Sequence, residues 1–294
     1  MAERYARRRV SDRSDGRRLR TISPVFQLTP FMMRAPADAV NSFTDHAELS
    51  AVETFLRARR RDGYEDLSLL HIVIAAYVRM LANRPAMNRF VSGRYLYARD
   101  SIDIVLSSGR NGAADAGALA VTVRFQPTDT VYDVFRKINT QLDNMKADES
   151  SARLEQVAST LVKTPRFILR FVTAVLRWLD YHGWLRENWT NRSPFHGSAV
   201  ISDEGSYFLP PISRSINSLG CLPVSLSVGR VRTVTELDKA GQVQDKKYAD
   251  YTVSFDSRIA DSAYIGSAFR YFRYYLANPD QLEKAPERVN EDAL

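Results

Sequence analysis

The sequence has few of the residues from which covalent cross-links and metal sites are built. Its 294 residues include one cysteine, Cys221, and four histidines. A single cysteine cannot form an internal disulfide or a multi-thiolate metal site, so we expect a reducing, cytoplasmic setting. No His-x-x-x-His pair occurs, and the sequence therefore predicts no structural or catalytic zinc.

Motifs of several enzyme classes are also missing. There is no glycine-rich phosphate loop of either common type, which argues against nucleotide-dependent kinases, GTPases and typical dehydrogenases. The Gly-x-Ser-x-Gly elbow of many hydrolases is absent as well. The longest uncharged stretch, residues 215–229, contains Gly220 and Pro223 and does not resemble a membrane span. The N-terminal residues lack the apolar core of a secretory signal.

Positive charge is concentrated at the start of the chain. The formal net charge is +7. Residues 1–20 hold eight arginines against three acidic residues and so contribute +5. A folded nucleic-acid-binding domain usually carries basic residues across one face, so nucleic acid is not a favoured partner. The pattern predicts a flexible basic leader over residues 1–20 that binds an acidic partner or a sister subunit.

Hydrophobic patterning predicts interleaved helices and strands in a mixed α/β sandwich. Hydrophobic residues make up 45% and charged residues 26%, as in folded soluble proteins. Residues 22–33 are predicted to be an extended edge segment between two prolines. An Asp45–Glu48 capping box is predicted to start the first helix. The predicted helices are 47–61, 69–81, 131–144 and 263–277, and the predicted strands are 95–98, 102–106, 119–125, 198–202, 224–231, 230–236 and 248–255.

Residues 152–189 have a helical pattern that is interrupted at Pro165 and Gly183. Its second half is amphipathic and basic, with Phe167, Phe171 and Trp178 lying among arginines. The pattern favours a helix that packs on its own fold or against a sister subunit. Association with a membrane surface is the alternative.

Four segments, in the same order along the chain, carry a resemblance to a known family. The C-terminal segment Asp256-Ser-Arg-Ile-Ala-Asp-Ser262 is similar to a strand ending in Asp-His-Arg-Val/Ile-x-Asp-Gly. Residues 199–205, Ala-Val-Ile-Ser-Asp-Glu-Gly, resemble a Thr-Ile-Ser-Asn-Leu-Gly turn, and residues 219–229 and 70–90 resemble the family's Ala-Ile-Leu-Gly-Val-Gly strand and its buried helix with a Pro-x-Leu-Asn turn. The family is the catalytic domain of dihydrolipoyl acyltransferases, the acyltransferase cores of 2-oxo acid dehydrogenase complexes.

The resemblance implies a fold, an activity and an assembly. The fold would be a two-layer sandwich of mixed sheet and helices like that of chloramphenicol acetyltransferase. The resemblance implies acyl transfer from a coenzyme A thioester to a thiol or another acceptor, and a homotrimer whose active-site clefts lie between subunits. The domain would span residues 21–280 and be followed by a polar tail, 281–294. We expect no lipoyl domain in the chain.

The resemblance also implies roles for individual residues. Ser202 matches the serine that stabilises the oxyanion, and Asp261 matches a buried structural aspartate. Ser257 stands where the family has its histidine base, and Ser262 replaces a glycine. The loss of a general base costs roughly 10²–10⁴-fold in rate. We therefore expect a weakened acyltransferase or, as the alternative, an inactive trimeric scaffold.

Other residues offer replacements for the missing parts of the site. His196 precedes the 198–202 strand, and is either a loop histidine bonded to backbone or a displaced base with Ser257 as its partner. Asp261 is expected to pair with Arg258 or with an arginine of the leader (Arg17, Arg18 or Arg20). His71 is expected to be a hydrogen-bonded core residue, and Cys221 a packing residue rather than an acyl acceptor.

Overall fold

The computed structural model describes residues 12–108, 119–147, 164–185, 187–190, 193–216, 220–237 and 241–293. Within these ranges the chain forms a six-stranded mixed sheet, a three-stranded antiparallel sheet and a layer of helices. The predicted α/β sandwich is confirmed. The strands are β1 (Gly16–Arg18), β2 (Val40–Glu48), β3 (Arg89–Ser92), β4 (Tyr95–Arg99), β5 (Ile102–Ser108), β6 (Leu119–Phe125), β7 (Ala199–Asp203), β8 (Val224–Leu237) and β9 (Val243–Asp256).

The helices account for most of the second layer. They are α1 (Pro24–Met32), α2 (Ser50–Arg61), α3 (Leu69–Asn83), α4 (Val131–Ala147), α5 (Arg166–Tyr181), α6 (Glu187–Thr190) and α7 (Ser262–Ala277). In the large sheet the strand order is β2-β9-β8-β7-β5-β6, with β7 parallel to both β5 and β8. The small sheet has the order β1-β4-β3.

The main core lies between one face of the large sheet and helices α2, α3, α4 and α7. Helix α3 is buried without interruption from His71 to Ala82, as its nearly all-round apolar sequence predicts. Ser68 precedes this helix, and its backbone N–H donates to Nδ1 of His71 at 3.1 Å. His71 is therefore a hydrogen-bonded core histidine, as expected.

Two predicted features near the N-terminal part of the domain are wrong. The segment 22–33 is helical rather than extended, because Pro24 takes the first helical position, where its missing N–H costs nothing. Asp45 and Glu48 do not start a helix, since both lie in β2 opposite Tyr251 and Tyr248 of β9. Cross-strand pairing decides their conformation rather than the local capping pattern.

The basic leader is partly built into the fold. Residues 16–18 form β1, and Arg13, Asp15 and Leu19 are buried. The predicted flexible segment therefore does not extend to residue 20, because the arginines at its end have partners within the chain: Arg13 pairs with Asp15, Arg20 pairs with Asp12, and Arg17 donates to the backbone of residue 293. Residues 1–11 lie outside the described ranges.

The C-terminal tail also packs on the domain. Asp292 forms an ion pair with Arg89, and the backbone N–H of Asn290 donates to the carbonyl of Ala82 at the end of α3. Two arginine–backbone contacts (Arg79 to Lys284, Arg17 to Ala293) add to this. Both ends of the described chain thus help to hold the small sheet and α3 in place.

Helix α5 contacts the rest of the described chain through its last turn, where Asp180 bonds to Arg13 and His196. Asp180 is its only buried residue. The expected packing on its own fold or against a sister subunit stays a prediction for most of this helix, and residues 152–163 of the same predicted helical region lie outside the described ranges. None of the helices in those ranges has the length and apolar content needed to cross a bilayer.

Strands β8 and β9 form a long antiparallel pair within the large sheet. The predicted strands 224–231 and 230–236 form one long strand, β8, whose register shifts between Val228 and Val231. Residues 238–240, which join β8 to β9, lie outside the described ranges, and Gly241 after them has a φ of +78°.

Candidate active site

A row of hydroxyl side chains crosses the face of the large sheet that turns away from the helices. Ser202 of β7 is level with Ser227 of β8, which is level with Thr252 of β9, which is level with Thr44 of β2. Ser202, Ser227 and Thr252 are all buried. Because side chains alternate between faces along a strand, the apolar neighbours of these residues point into the core.

A second hydroxyl row runs beside the first. Ser225 of β8 is level with Ser254 of β9, and both are buried. The family resemblance does not indicate these rows. Their signal in the sequence is the alternation of hydroxyl and apolar residues in Val224-Ser-Leu-Ser-Val228 and in Tyr251-Thr-Val-Ser-Phe255. A buried, hydroxyl-lined sheet face is a polar surface inside the molecule, where unpaired groups are costly.

Ser202 differs from its neighbours in its hydrogen bonding. The Oγ atom of Ser227 accepts from the backbone N–H of Ile212 at 3.0 Å. Thr44 and Thr252 bond to each other at 2.8 Å. The Oγ of Ser202 is buried and, among the described residues, has no hydrogen-bond partner. Its hydroxyl is therefore free to donate to a ligand.

The segment 209–216 lies across this hydroxyl face. Ser213 bonds to Ser254 at 3.1 Å, and Arg214 forms an ion pair with Glu204 at 2.6 Å. The chain passes very close to β8 at Gly229, where an added Cβ would lie 2.3 Å from Pro211. Glycine is required there because no side chain fits between the two segments.

Ser257 and Ser202 lie at different levels along the strands of the large sheet. It follows β9 beside Pro223, whose carbonyl accepts from the backbone N–H of Asp256, whereas Ser202 is level with Ser227. Four residues of β8 separate these levels, roughly 13 Å along the strands. The two serines therefore do not share a cleft within one chain. The expected cleft between subunits stays a prediction.

The hydroxyl of Ser257 is already occupied. Its Oγ donates to the carbonyl of Ala39 at 2.8 Å, and its backbone N–H donates to the same oxygen at 2.9 Å. No residue that would remove a thiol proton is among the partners of Ser257 in the described ranges. A serine held in this way fixes the backbone between β9 and the segment before β2.

The buried ion pair near the family signature involves Asp256 rather than Asp261. Arg258 bonds to Asp256 at 2.6 Å, both side chains are buried, and Arg258 also donates to the carbonyl of Met33 at 3.1 Å. Asp261 is exposed and accepts from the backbone N–H of Tyr264, so it is the N-cap of α7. The expectation of a buried, ion-paired Asp261 is wrong, because the aspartate that matches Arg258 is two residues before it rather than three after it.

His196 belongs to a buried polar network. Its Nε2 lies 3.2 Å from Oδ1 of Asp180, and its Nδ1 lies 2.9 Å from Oγ of Ser193. It precedes β7, whereas Ser202 is near the end of that strand. Neither Ser202 nor Ser257 is a hydrogen-bond partner of its ring. The expectation of a backbone-bonded loop histidine is also corrected, since both ring nitrogens meet side chains.

The buried network around His196 contains both positive and negative side chains. Arg13 pairs with Asp15 at 2.8 Å and with Asp180 at 3.0 Å. Burial on its own raises the pKa of Asp180, but the hydrogen bond with His196 and the charge of Arg13 together hold that pKa below its ordinary value. No local sequence pattern indicates this network, because its members are far apart along the chain.

Cys221 is part of the same network. Arg99 donates to its Sγ at 2.9 Å. Burial raises the pKa of Cys221 to about 11, so the group is a neutral thiol at pH 7. The interpretation of Cys221 as a packing residue is confirmed. In the described residues no group of His, Cys, Asp or Glu side chains has the arrangement of a metal site.

Comparisons with known proteins identify the fold. No protein-family profile matches the sequence, and no curated protein matches it either. Among solved structures, a probable dihydrolipoamide acetyltransferase from Listeria monocytogenes 4b F2365 aligns with a TM-score of 0.55 at 13% identity, covering 94% of this chain and 99% of that one. A truncated 2-oxoacid dehydrogenase multienzyme catalytic core from Thermoplasma acidophilum aligns with a TM-score of 0.51 at 12% identity, covering 89% and 98%.

A third similar structure concerns a catalytic mechanism. The dihydrolipoamide acetyltransferase of Azotobacter vinelandii aligns with a TM-score of 0.53 at 14% identity and covers 88% of both chains. That structure was determined to study the roles of a serine, a histidine and an asparagine in the mechanism. The chain therefore has the fold of dihydrolipoamide acyltransferase catalytic cores, as the four sequence segments indicated.

Proposed function

We propose that the protein is a thioester acyltransferase, which moves an acyl group from a coenzyme A thioester to a thiol or a similar acceptor. The observation that carries this proposal is the buried Oγ of Ser202, which has no partner among the described residues. Preorganised donors of this kind stabilise the negative charge that develops on a thioester oxygen during acyl transfer. The fold shared with acetyltransferase cores supports the same assignment.

The proposed reaction is a thiol–thioester exchange. The thiolate of the acceptor attacks the thioester carbonyl, and a new carbon–sulfur bond forms as the carbonyl oxygen becomes an oxyanion. Ser202 donates its hydrogen bond to that oxygen. The oxyanion then collapses, the bond to the coenzyme A sulfur breaks, and the released thiolate takes a proton from water.

The attacking thiol must lose its proton without the family's histidine. Ser257 has no titratable partner, and both ring nitrogens of His196 are engaged elsewhere. An ordinary thiol with a pKa of about 8.5 is ionised to a few per cent at pH 7, which supplies some thiolate without a base. We infer a slow enzyme whose rate follows the ionisation of its acceptor.

The proposed active site lies between subunits. In one chain Ser202 and Ser257 are separated by about four residues along the strands, so the proposed cleft requires a Ser257 segment from a neighbouring copy beside Ser202. A homotrimer, which the resemblance implies, would create three such clefts. We expect the protein to work in the reducing cytoplasm, where a lone cysteine such as Cys221 stays a free thiol.

An inactive trimeric scaffold is the second candidate. The observation that favours it is the bond from Ser257 to the carbonyl of Ala39, which ties up the side chain in the position of the family's base. In a scaffold, Ser257 would only fix the backbone between β9 and the segment before β2, and the hydroxyl face of the sheet would bind no ligand.

The test combines binding and turnover. We expect acetyl-coenzyme A to raise the melting temperature of the protein, because a ligand of the native state stabilises it. Acyl transfer to dihydrolipoamide should be measurable, and Ser202→Ala should lower kcat about 10²–10³-fold without loss of fold. Ser50→Ala, at an exposed serine at the start of α2, is the matched control and should keep full activity. A protein that neither binds coenzyme A nor turns over a thioester is the scaffold.

A further inference from the structure

Helix α5 presents large apolar side chains to solvent over most of its circumference. Phe167 is 72% exposed, Phe171 69% and Trp178 51%. A monomeric soluble protein seldom leaves a contiguous apolar surface of this kind without a partner. The other exposed apolar residues of the helix and of the turn after it are Ile168, Val172, Val175, Tyr181, Trp184 and Trp189.

The polar side of α5 is narrow and basic. At 100° per residue, Arg166, Arg170 and Arg177 lie within about 40° of one another around the helix axis. All three are exposed. The helix has one acidic residue, Asp180, and that side chain is buried against Arg13 and His196. The surface that α5 shows to a partner is thus apolar with a positive stripe.

Helix α1 adds apolar surface nearby. Val25 is 77% exposed and Met32 82%. Both helices border the turn between β3 and β4: a Cβ on Gly93 of this turn would lie 2.5 Å from the carbonyl oxygen of Tyr181, while Arg94 lies over the ring of Phe31. The two apolar surfaces therefore flank one turn, which itself carries a further arginine.

We propose that α5, together with the exposed side of α1, binds the surface of an anionic membrane. A helix with arginines on its polar side and Phe, Trp and Leu on the other lies in the plane of the bilayer interface, with its apolar side at the boundary between headgroups and acyl chains. Sixteen residues span about 24 Å along that plane. Arginine side chains reach the anionic headgroups from this position.

The charge pattern favours a membrane over a second copy of the chain. A contact between the α5 helices of two copies offers the arginine stripe no exposed acidic residue to pair with, because the one acidic residue of the helix, Asp180, is buried. An anionic lipid surface neutralises every arginine at once. The aromatic residues at the end of the helix and beyond it, Trp178, Tyr181 and Trp184, are of the type that is enriched at membrane interfaces.

The chain carries its own reporter for the test. Its three tryptophans, Trp178, Trp184 and Trp189, all lie in α5 or just after it, and all are exposed. We expect vesicles of phosphatidylcholine with phosphatidylserine to shift the tryptophan emission to shorter wavelength and to sediment the full-length protein. Pure phosphatidylcholine vesicles should bind about 100-fold more weakly, at about fivefold for each of three arginines.

Two sets of variants separate the apolar from the electrostatic contribution. The double variant Phe167→Glu/Phe171→Glu should abolish sedimentation with either vesicle. The triple variant Arg166→Glu/Arg170→Glu/Arg177→Glu should remove the preference for anionic lipid. The matched controls Tyr274→Glu and Arg270→Glu change exposed residues of α7 in the same way and should bind as the parent does. Circular dichroism confirms that each variant is folded.

Two results overturn the proposal. One is the absence of any emission shift or sedimentation with anionic vesicles. The other is an emission shift that depends on protein concentration without vesicles and disappears, together with the larger mass, in the Phe167→Glu/Phe171→Glu variant. In that case the occupant of the surface is a second copy of the chain. Neither result bears on acyl transfer, which is assayed with soluble substrates.

Discussion

The hydroxyl groups of Ser202 and Ser257 differ in their hydrogen bonding. The Oγ of Ser202 is buried without a partner among the described residues, while that of Ser257 donates to Ala39. Leaving a buried donor unpaired costs about 1–3 kcal/mol, and a ligand that accepts the bond recovers that free energy. In the proposed reaction, Ser202 would therefore be the donor to the oxyanion, and Ser257 would not serve as a base.

The missing base leads to a prediction about pH. If the acceptor thiol ionises without help, kcat/KM of the parent should rise about tenfold per pH unit from pH 6 to 8 and level off near pH 8.5–9. Ser257→His should raise the rate at pH 7 by roughly 10²–10⁴-fold and flatten the profile above the histidine pKa. Steady-state assays with acetyl-coenzyme A and dihydrolipoamide measure both.

The variant His196→Ala tests whether His196 takes the proton of the acceptor thiol or whether that thiol ionises without a base. If His196 only stabilises the buried network, this variant should melt at a lower temperature and keep the pH profile of the parent. A folded His196→Ala protein that has lost all turnover would show instead that His196 is the base.

At the scale of elements, the turn from β9 into α7 contains two aspartates with different structural roles. Asp256 is buried and paired with Arg258, so Asp256→Ala should lower the free energy of unfolding by about 3–5 kcal/mol. Asp261 is exposed and only caps α7, so Asp261→Ala should cost about 1 kcal/mol. Urea denaturation of both variants provides the comparison. Equal losses would contradict the positions that the structure gives to these two residues.

His71, at the start of α3, makes the free energy of unfolding depend on pH. Burial lowers the pKa of His71 from 6.5 to about 4, so the folded state keeps this ring neutral while the unfolded state gains a proton below pH 6.5. The contribution of the neutral His71 ring to the free energy of unfolding is fully present above pH 6.5 and is lost as the pH falls towards 4. The loss between pH 7 and 5 is about 2 kcal/mol.

The variant His71→Asn tests this linkage. It keeps an acceptor for the backbone N–H of Ser68 and removes the titrating ring. Urea denaturation at pH 7 and 5 should show a smaller decline for the variant than for the parent. An unchanged decline would mean that other groups cause the acid sensitivity.

At the scale of the whole molecule, the proposed assembly and the proposed membrane binding use different parts of the chain. The proposed cleft joins the Ser202 segment of one copy to the Ser257 segment of another, whereas membrane binding uses α5, in which Asp180 is the only buried residue. We expect light scattering to give about three times the chain mass of 33.4 kDa. The variant Phe167→Glu/Phe171→Glu should keep this mass. A monomeric parent would contradict the trimer.

Much of the fold follows from local sequence patterns. The all-round apolar sequence of α3 predicts its burial, the alternation in β7, β8 and β9 predicts strands, and Asp261 marks the start of α7. These features depend on side-chain periodicity and capping, which act over a few residues. The order of four short motifs was enough to indicate the acyltransferase fold.

Contacts between distant parts of the chain decided the rest. Asp45 lies in a strand because Tyr251 pairs with it across the sheet, and the end of the basic leader is folded because Arg13 meets Asp180. The sequence by itself determined which residues carry hydroxyl groups near the end of β7, including Ser202. Only the tertiary structure decided that this hydroxyl has no partner among the described residues, that Ser257 lies at a different level of the sheet, and that most of α5 is exposed. Burial and pairing depend on residues that are far apart in the sequence and that folding brings together.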